Sequence, residues 1–296
     1  MITAINSSLR VFRDDLYPFL GGGNKGRKIL AIEKDILIKG CDAIVTTGGI
    51  QSNHCRAAAV LAASRGWECT LVLHGSHEDF DAENGNALLM RVSGANIVFA
   101  DPLQIGDEMD KAMDDYRLKG LEPYYIWGGG HTFDGGLAYI EAVRELKEYC
   151  TDNSWYPDYI FHASGTGSTQ AGLLAGLDKY DLSSKVVGIS VARTRTRAEE
   201  VVGSFYNELT EHYSIKSTGR RVEVSDDYLF GGYEKYSSEL LELSRSSIKT
   251  YGFALDTTYT GKAFIGMQDY IKKNQIEGNV LFWHTGGILN FLAQKF

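Results

Sequence analysis

Short apolar runs ending in glycine, each followed by a stretch with helical spacing, recur along most of the chain. Residues 42–47 (DAIVTT) are β-rich and end in Gly48-Gly49, and Arg56–Arg65 (RAAAVLAASR) then has the small, alanine-rich composition of a buried helix. Runs at 69–73 (CTLVL) and 96–100 (NIVFA) predict further strands, with NALLMRVSG as a helix between them that stops at Gly94. A polar helix follows around 107–119, then a strand at 124–127 (YYIW) that runs into Gly128-Gly129-Gly130. LAYIEAVRELKEY (137–149) has helical period and a charged outer face. DYIFHAS (158–164) predicts a strand and GTGSTQAGLLAGL turns into a helix; KVVGISVA (185–192) and NVLFWHT (279–285) are two more buried strands. Strands alternating with helices predict a parallel sheet covered on both faces, and such sheets bind ligands beyond the carboxyl ends of their strands. Three of those ends carry paired or spaced glycines: 48–49, 165–167 and 286–287. No repeat or low-complexity linker divides the chain, so a two-domain arrangement would cross over within it.

Composition narrows the partners. Thirty Lys and Arg against 38 Asp and Glu leave a net charge of -8, which argues against a nucleic-acid or anionic-membrane surface. The 33 glycines against 4 prolines point to tight turns at specific loops. Cys41, Cys55, Cys69 and Cys150 form no CxxC pair and have no histidine at metal-ligand spacing, so reduced thiols and no metal are expected. The start lacks a basic region followed by an apolar core, and no run approaches a membrane span; a cytoplasmic location is expected.

Three segments carry candidate chemistry. Ser164-Gly165-Thr166-Gly167-Ser168-Thr169, between a strand and a helix, offers closely approachable backbone N–H groups and hydroxyls to a phosphate. It departs from both the nucleotide P-loop and the GxGxxG spacing, and a plain capped turn would look similar. Gly21-Gly22-Gly23-Asn24-Lys25-Gly26-Arg27-Lys28 sets a lysine among residues of low bulk, where burial and the cations Arg27 and Lys28 would depress its pKa for Schiff-base chemistry; a solvated basic loop is the plain alternative. Gly48-Gly49-Ile50-Gln51-Ser52-Asn53-His54 could hold a carboxylate at a helix start, or cap that helix. Together they describe pyridoxal phosphate with an amino acid joined to it.

These segments resemble the fold-type II pyridoxal-phosphate enzymes that include D-cysteine desulfhydrase and 1-aminocyclopropane-1-carboxylate deaminase. GGNKGRK (22–28) is similar to their lysine motif, GGIQSNHCR (48–56) to their substrate-carboxylate motif, and SGTGSTQAG (164–172) to their phosphate loop. DDYLFGGY (226–233), LDTTYTGKAFIGM (255–267) and LFWHTGG (281–287) match further segments, in order from about residue 10 to the C-terminus. The resemblance implies a two-domain α/β fold, tryptophan synthase β-like, with parallel-rich twisted sheets covered by helices. Residues 1–30 and 138–296 would form the large cofactor domain and 31–137 the small one. It implies a homodimer, with a small amino acid as substrate. Lys25 would carry the cofactor, Asn53 would reach its ring oxygen, and Gly165, Thr166, Gly167, Ser168 and Thr169 would cradle the phosphate. Gln51, Ser52, Asn53, His54 and Thr285 would meet the substrate, Tyr233 and Tyr259 would line its side, and Ser52 and the two tyrosines would be catalytic alongside Lys25. Lys28 would point elsewhere.

Two departures from the family pattern carry expectations. Arg13-Asp14-Asp15 lies so early that the usual N-terminal strand region should be nearly absent. Asp256-Thr257-Thr258 replaces the relatives' Asp-Pro-Val, which should loosen the loop that aims Tyr259. The deaminase branch carries Glu at the position of Thr260 and tends to carry Leu at that of Thr285. The resemblance puts Thr260 against the cofactor's pyridine nitrogen, where a hydroxyl implies a milder electron sink suited to expelling a β substituent, and Thr285 favours the same desulfhydrase-like branch. A carbon–sulfur lyase giving pyruvate, ammonia and sulfide is the expectation. A deaminase, a β-replacement enzyme, a non-catalytic pyridoxal-phosphate carrier and a nucleotide-binding module are the alternatives.

Overall fold

A computed structural model describes residues 1–294 and 296. Two sheets organise the chain. The first contains β1 (Ile2–Ala4), β2 (Leu9–Arg13), β7 (Tyr159–Ser164), β8 (Lys185–Ser190), β9 (Glu223–Ser225) and β10 (Val280–His284), in the order β1-β2-β10-β7-β8-β9. Only β1 and β2 pair antiparallel; every other neighbour in this sheet is parallel. The second is a four-stranded parallel sheet of β3 (Ala43–Gly49), β4 (Glu68–His74), β5 (Asn96–Phe99) and β6 (Pro123–Ile126), in the order β5-β4-β3-β6. The chain thus leaves the first sheet after β2, builds the second, and returns.

Both faces of each sheet are covered, which is why the strands read as continuous apolar runs. On β7 and β10, Ile160, Leu281 and Trp283 face α6 (Phe133–Asn153), α7 (Ser168–Lys179) and α8 (Arg195–His212). The alternate residues Phe161 and Phe282 pack with Phe264 and Met267 of α10 (Thr260–Lys273). In the second sheet, Ile44 and Leu71 meet α1 (Gly23–Ile38), α2 (Asn53–Arg65) and α4 (Asn86–Val92), whereas Val45 and Val72 meet Met109 and Met113 of α5 (Ile105–Leu118). The short α3 (His77–Ala82) precedes α4, α9 (Ser238–Tyr251) precedes α10, and α11 (Ile288–Ala293) ends the fold. The boundaries expected at residues 30 and 137 fall inside the continuous helices α1 and α6.

The N-terminal strand region is present, contrary to the expectation. β2 joins β10 in parallel register, Val11 opposite Phe282, and its two consecutive apolar residues serve both faces: Phe12 stacks on Trp283 and Val11 enters the α10 side. Leu9–Arg13 alternates with arginines, and Arg10 lies over the Trp155 ring, so the strand does not read as apolar.

Candidate active site

The carboxyl ends of both sheets face one cavity of about 430 Å³, and each candidate segment reaches it from a different direction. Lys25 sits in the first turn of α1. Gly22 and Gly23 before it have positive φ, and a Cβ on Gly22 would fall 2.3 Å from the Asp15 carbonyl, so only glycine lets the chain turn here. The Asn24 amide donates to the Thr285 carbonyl at 2.9 Å, tying the helix start to the end of β10. Deeper in α1, Arg27 is buried against Asp14 at 2.7 Å, and Asp14 also accepts from Tyr139 and Trp283. This buried pair fixes the helix that presents Lys25.

Lys25 Nζ donates to the Gly129 carbonyl at 2.9 Å, and burial pushes its pKa down to about 8, with Arg56 adding to the shift. The expected helpers differ. Arg27 is neutralised by Asp14 and Glu145, so it does not act on Lys25. Lys28, expected to point elsewhere, is 1 % exposed and donates to Ser168 Oγ at 2.7 Å. Burial, then the charge on Lys25, holds its pKa well below the ordinary lysine value.

The 164–169 loop joins β7 to α7. Gly167 caps the helix with φ +94, and a Cβ on Gly165 would meet nothing nearer than Val191 at 3.8 Å, so the loop's inner side is open. Asn24 Nδ2 donates to Thr169 Oγ1 at 3.3 Å, and Arg193 Nη1 donates to the Gly165 carbonyl at 2.8 Å. Gly165, Thr166, Gly167 and Thr169 line the cavity; Ser168, fully buried, stands behind them under Lys28.

At the opposite wall, Ser52 caps α2, accepting from the Cys55 amide at 3.2 Å, and its hydroxyl lines the cavity beside the Cys55 thiol. Asn53 also lines the cavity, yet its amide donates to Asn290 Oδ1 at 2.6 Å and its oxygen accepts from Asn86. Gln51 does not line it: its side chain is taken up by Glu83, the Asn84 carbonyl and the Asn86 amide. His54 is buried on the wall. Thr46 gives its only proton to the Ile126 carbonyl, so His54 Nε2 must donate to Thr46 at 2.9 Å, and burial keeps the ring neutral.

Tyr233 and Tyr259 meet hydroxyl to hydroxyl at the cavity, and burial raises both phenols. The 256–260 turn is fastened, not loose. Asp256, 1 % exposed, accepts from the amides of Thr258 (3.0 Å), Tyr259 (2.9 Å) and Thr260 (2.9 Å), and from the Thr260 hydroxyl at 2.7 Å. A side-chain cap thus replaces the rigidity that proline would supply. The same cap turns Thr260 away: its hydroxyl is spent on Asp256 and it is not on the cavity wall, whereas Thr285 is.

A sequence profile described as "Pyridoxal-phosphate dependent enzyme" matches residues 4–286. The chain belongs to the pyridoxal-phosphate-dependent enzymes. This enzyme is 36% identical over 294 residues to a Thermotoga maritima protein described as "Putative 1-aminocyclopropane-1-carboxylate deaminase", covering 97% of this chain and 91% of that one. A crystal structure of an "ACC deaminase homologue" superposes with TM-score 0.87 at 33% identity, covering 95% of this chain and 85% of that one. A threonine deaminase from "T.th.", at 14% identity and TM-score 0.66, covers 97% of this chain and 88% of its own and shares the fold-type II architecture.

The cavity suits pyridoxal phosphate on its own features. Two buried polar atoms on its wall, Thr47 Oγ1 and His162 Nε2, have no partner among the described residues. The open loop at the start of α7 offers N–H groups and the helix dipole to a phosphate, and Lys28 stands behind it as an amine whose charged form a bound phosphate would favour. No helix among the described residues is long and apolar enough to cross a membrane. Sequence reasoning about the enzyme missed Lys28, Arg193 and Asn290. Lys28 had a signal, since it lies three residues after Lys25 on one helix and so shares its face; Asn290 had none.

Proposed function

We propose that this enzyme is a D-cysteine desulfhydrase-like lyase that performs α,β-elimination on a small amino acid, releasing pyruvate, ammonia and sulfide. One observation carries the reading: no aspartate or glutamate stands on the cavity wall among the described residues. A wall without a carboxylate would leave a protonated ring nitrogen of the cofactor without an anionic partner; Thr285 offers that wall only a hydroxyl. Expulsion of a β substituent tolerates such a mild sink, because the leaving group carries the electrons away. Opening a cyclopropane ring has no such departing group.

When bound, pyridoxal phosphate supplies an electrophilic carbonyl carbon and an electron sink. Lys25 holds it through Nζ, and a pKa near 8 keeps a useful fraction of the amine unprotonated at neutral pH. The 165–169 amides would bind the phosphate, with Lys28 behind them against Ser168. The start of α2, with the Ser52 hydroxyl, would bind the substrate carboxylate. With the substrate amine in its place on the cofactor, the freed Lys25 Nζ would take the Cα proton. In the Tyr233–Tyr259 contact one hydroxyl donates to the other, which leaves one phenol proton free for the departing sulfur. The raised phenol pKa values keep both protons in place at neutral pH. The released enamine hydrolyses to pyruvate and ammonia.

The second reading is deamination of 1-aminocyclopropane-1-carboxylate, favoured by the likeness to the Thermotoga protein. Product assays on purified holoenzyme separate the two. Pyruvate from D-cysteine and β-chloroalanine, with little ammonia from the cyclopropane amino acid, supports the lyase; a preference for the cyclopropane substrate refutes it.

A further inference from the structure

Lys262 is fully buried in the first turn of α10 and has no carboxylate within 4.0 Å among the described residues. It does not line the cavity. Its Nζ donates to two backbone carbonyls, Leu229 at 2.9 Å and Gly232 at 2.8 Å. Those carbonyls belong to the segment that carries Tyr233, and each also closes one of that segment's own turns: Gly232 N donates to Leu229 O and Lys235 N to Gly232 O. The backbone there is unusual. Phe230, Gly231, Gly232 and Glu234 all have positive φ, which non-glycine residues adopt only when their surroundings hold them. Tyr233 keeps 37 % of its surface exposed although its hydroxyl end is desolvated against Tyr259. Burying a lysine is costly, and this one is pushed down to about 8 by desolvation, with Asp256 and Glu234 working against the shift.

We propose that Lys262 is a positioning residue whose ammonium clamps the carbonyls of Leu229 and Gly232 and so aims the Tyr233 hydroxyl at the substrate side of the cavity. The start of α10 and the turn just before it then aim both tyrosines: Asp256 holds the Tyr259 amide and Lys262 holds the Tyr233 segment. The inference rests on the substrate-side role of Tyr233 given above.

The test compares holoenzyme variants Lys262→Met, Tyr233→Phe and the double variant. Amide hydrogen exchange comes first, because it needs no turnover. Lys262→Met should speed exchange in 229–235 at least roughly tenfold while α6 and α7 keep their protection. Cofactor affinity, read from the visible absorption, should stay within about twofold. With D-cysteine, Lys262→Met should lower kcat/KM roughly tenfold, and Tyr233→Phe should cost far less in the Lys262→Met background than alone. Wild-type exchange in 229–235, or fully additive effects of the two substitutions, overturns the proposal. If Lys262→Met does not fold, Lys262→Gln, which keeps two N–H donors without charge, replaces it, with weaker shifts in the same directions. Equal turnover by wild type and Tyr233→Phe removes the tyrosine's role instead, and the exchange result still decides the clamp.

Discussion

Replacing Asp256 by Asn tests whether a single carboxylate fastens the turn that carries Tyr259. The carboxylate accepts four hydrogen bonds through two oxygens, two on each. The best placement of an asparagine keeps its one oxygen on the Thr258 and Tyr259 amides and turns its NH2 toward the Thr260 hydroxyl. The Thr260 amide is then buried without a partner, which costs about 1–3 kcal/mol. The surviving bonds also lose their charge assistance, which roughly halves their strength. Against this, burial raises the Asp256 pKa, so removing the charge relieves desolvation. The balance is a loss of about 2–3 kcal/mol. At about 2–4 °C per kcal/mol for a chain of this size, the Tm should fall by roughly 4–12 °C. Urea titration followed by circular dichroism measures the free energy, and kcat/KM for D-cysteine reports the aim of Tyr259. A loss under about 0.5 kcal/mol with unchanged turnover would refute the capping argument.

Other predictions concern the cofactor. Because Lys25 is pushed down to about 8, the rate of cofactor capture by the apoenzyme should rise about tenfold per pH unit below pH 8 and level off above it, since only the free amine reacts. A rate still climbing beyond pH 9.5 would contradict that shift. Thr166→Val or Thr169→Val should weaken cofactor binding by about 1–3 kcal/mol in equilibrium titration, as for one lost hydrogen bond to a charged group. Lys28→Met should weaken it at least as much, because it removes the buried amine whose charged form a bound phosphate would favour; unchanged affinity in all three variants would place the phosphate elsewhere.

What the sequence makes legible is what local chemistry alone determines. Runs such as YIFHAS and VLFWH announce strands because both faces of their sheet are buried, and glycines at strand ends mark where backbone must approach a ligand. The motif lysine, the phosphate loop and the Ser52 cap all reach one cavity, as their residue types require. Long-range placement was not legible. β2 hides behind its arginines because its partner, β10, lies some 270 residues later. Gln51 stands in a substrate motif, yet neighbours 32 to 35 residues away consume its side chain. Thr260 follows the tyrosine directly, but the helical turn that begins there rotates its hydroxyl onto Asp256, and Thr285, from the end of β10, reaches the wall instead.

The assignment of Lys25 as the residue that holds pyridoxal phosphate is tested most directly by sodium borohydride reduction of the holoenzyme followed by peptide mapping. Reduction makes the lysine–cofactor bond permanent, so the modified residue can be read by mass. The structure offers two other buried lysines as competitors: Lys28 against Ser168 and Lys262 under the Tyr233 segment. The account predicts one phosphopyridoxyl group, on Lys25. A label on Lys28, Lys262 or any other lysine, or none at all on a yellow holoenzyme, would contradict it.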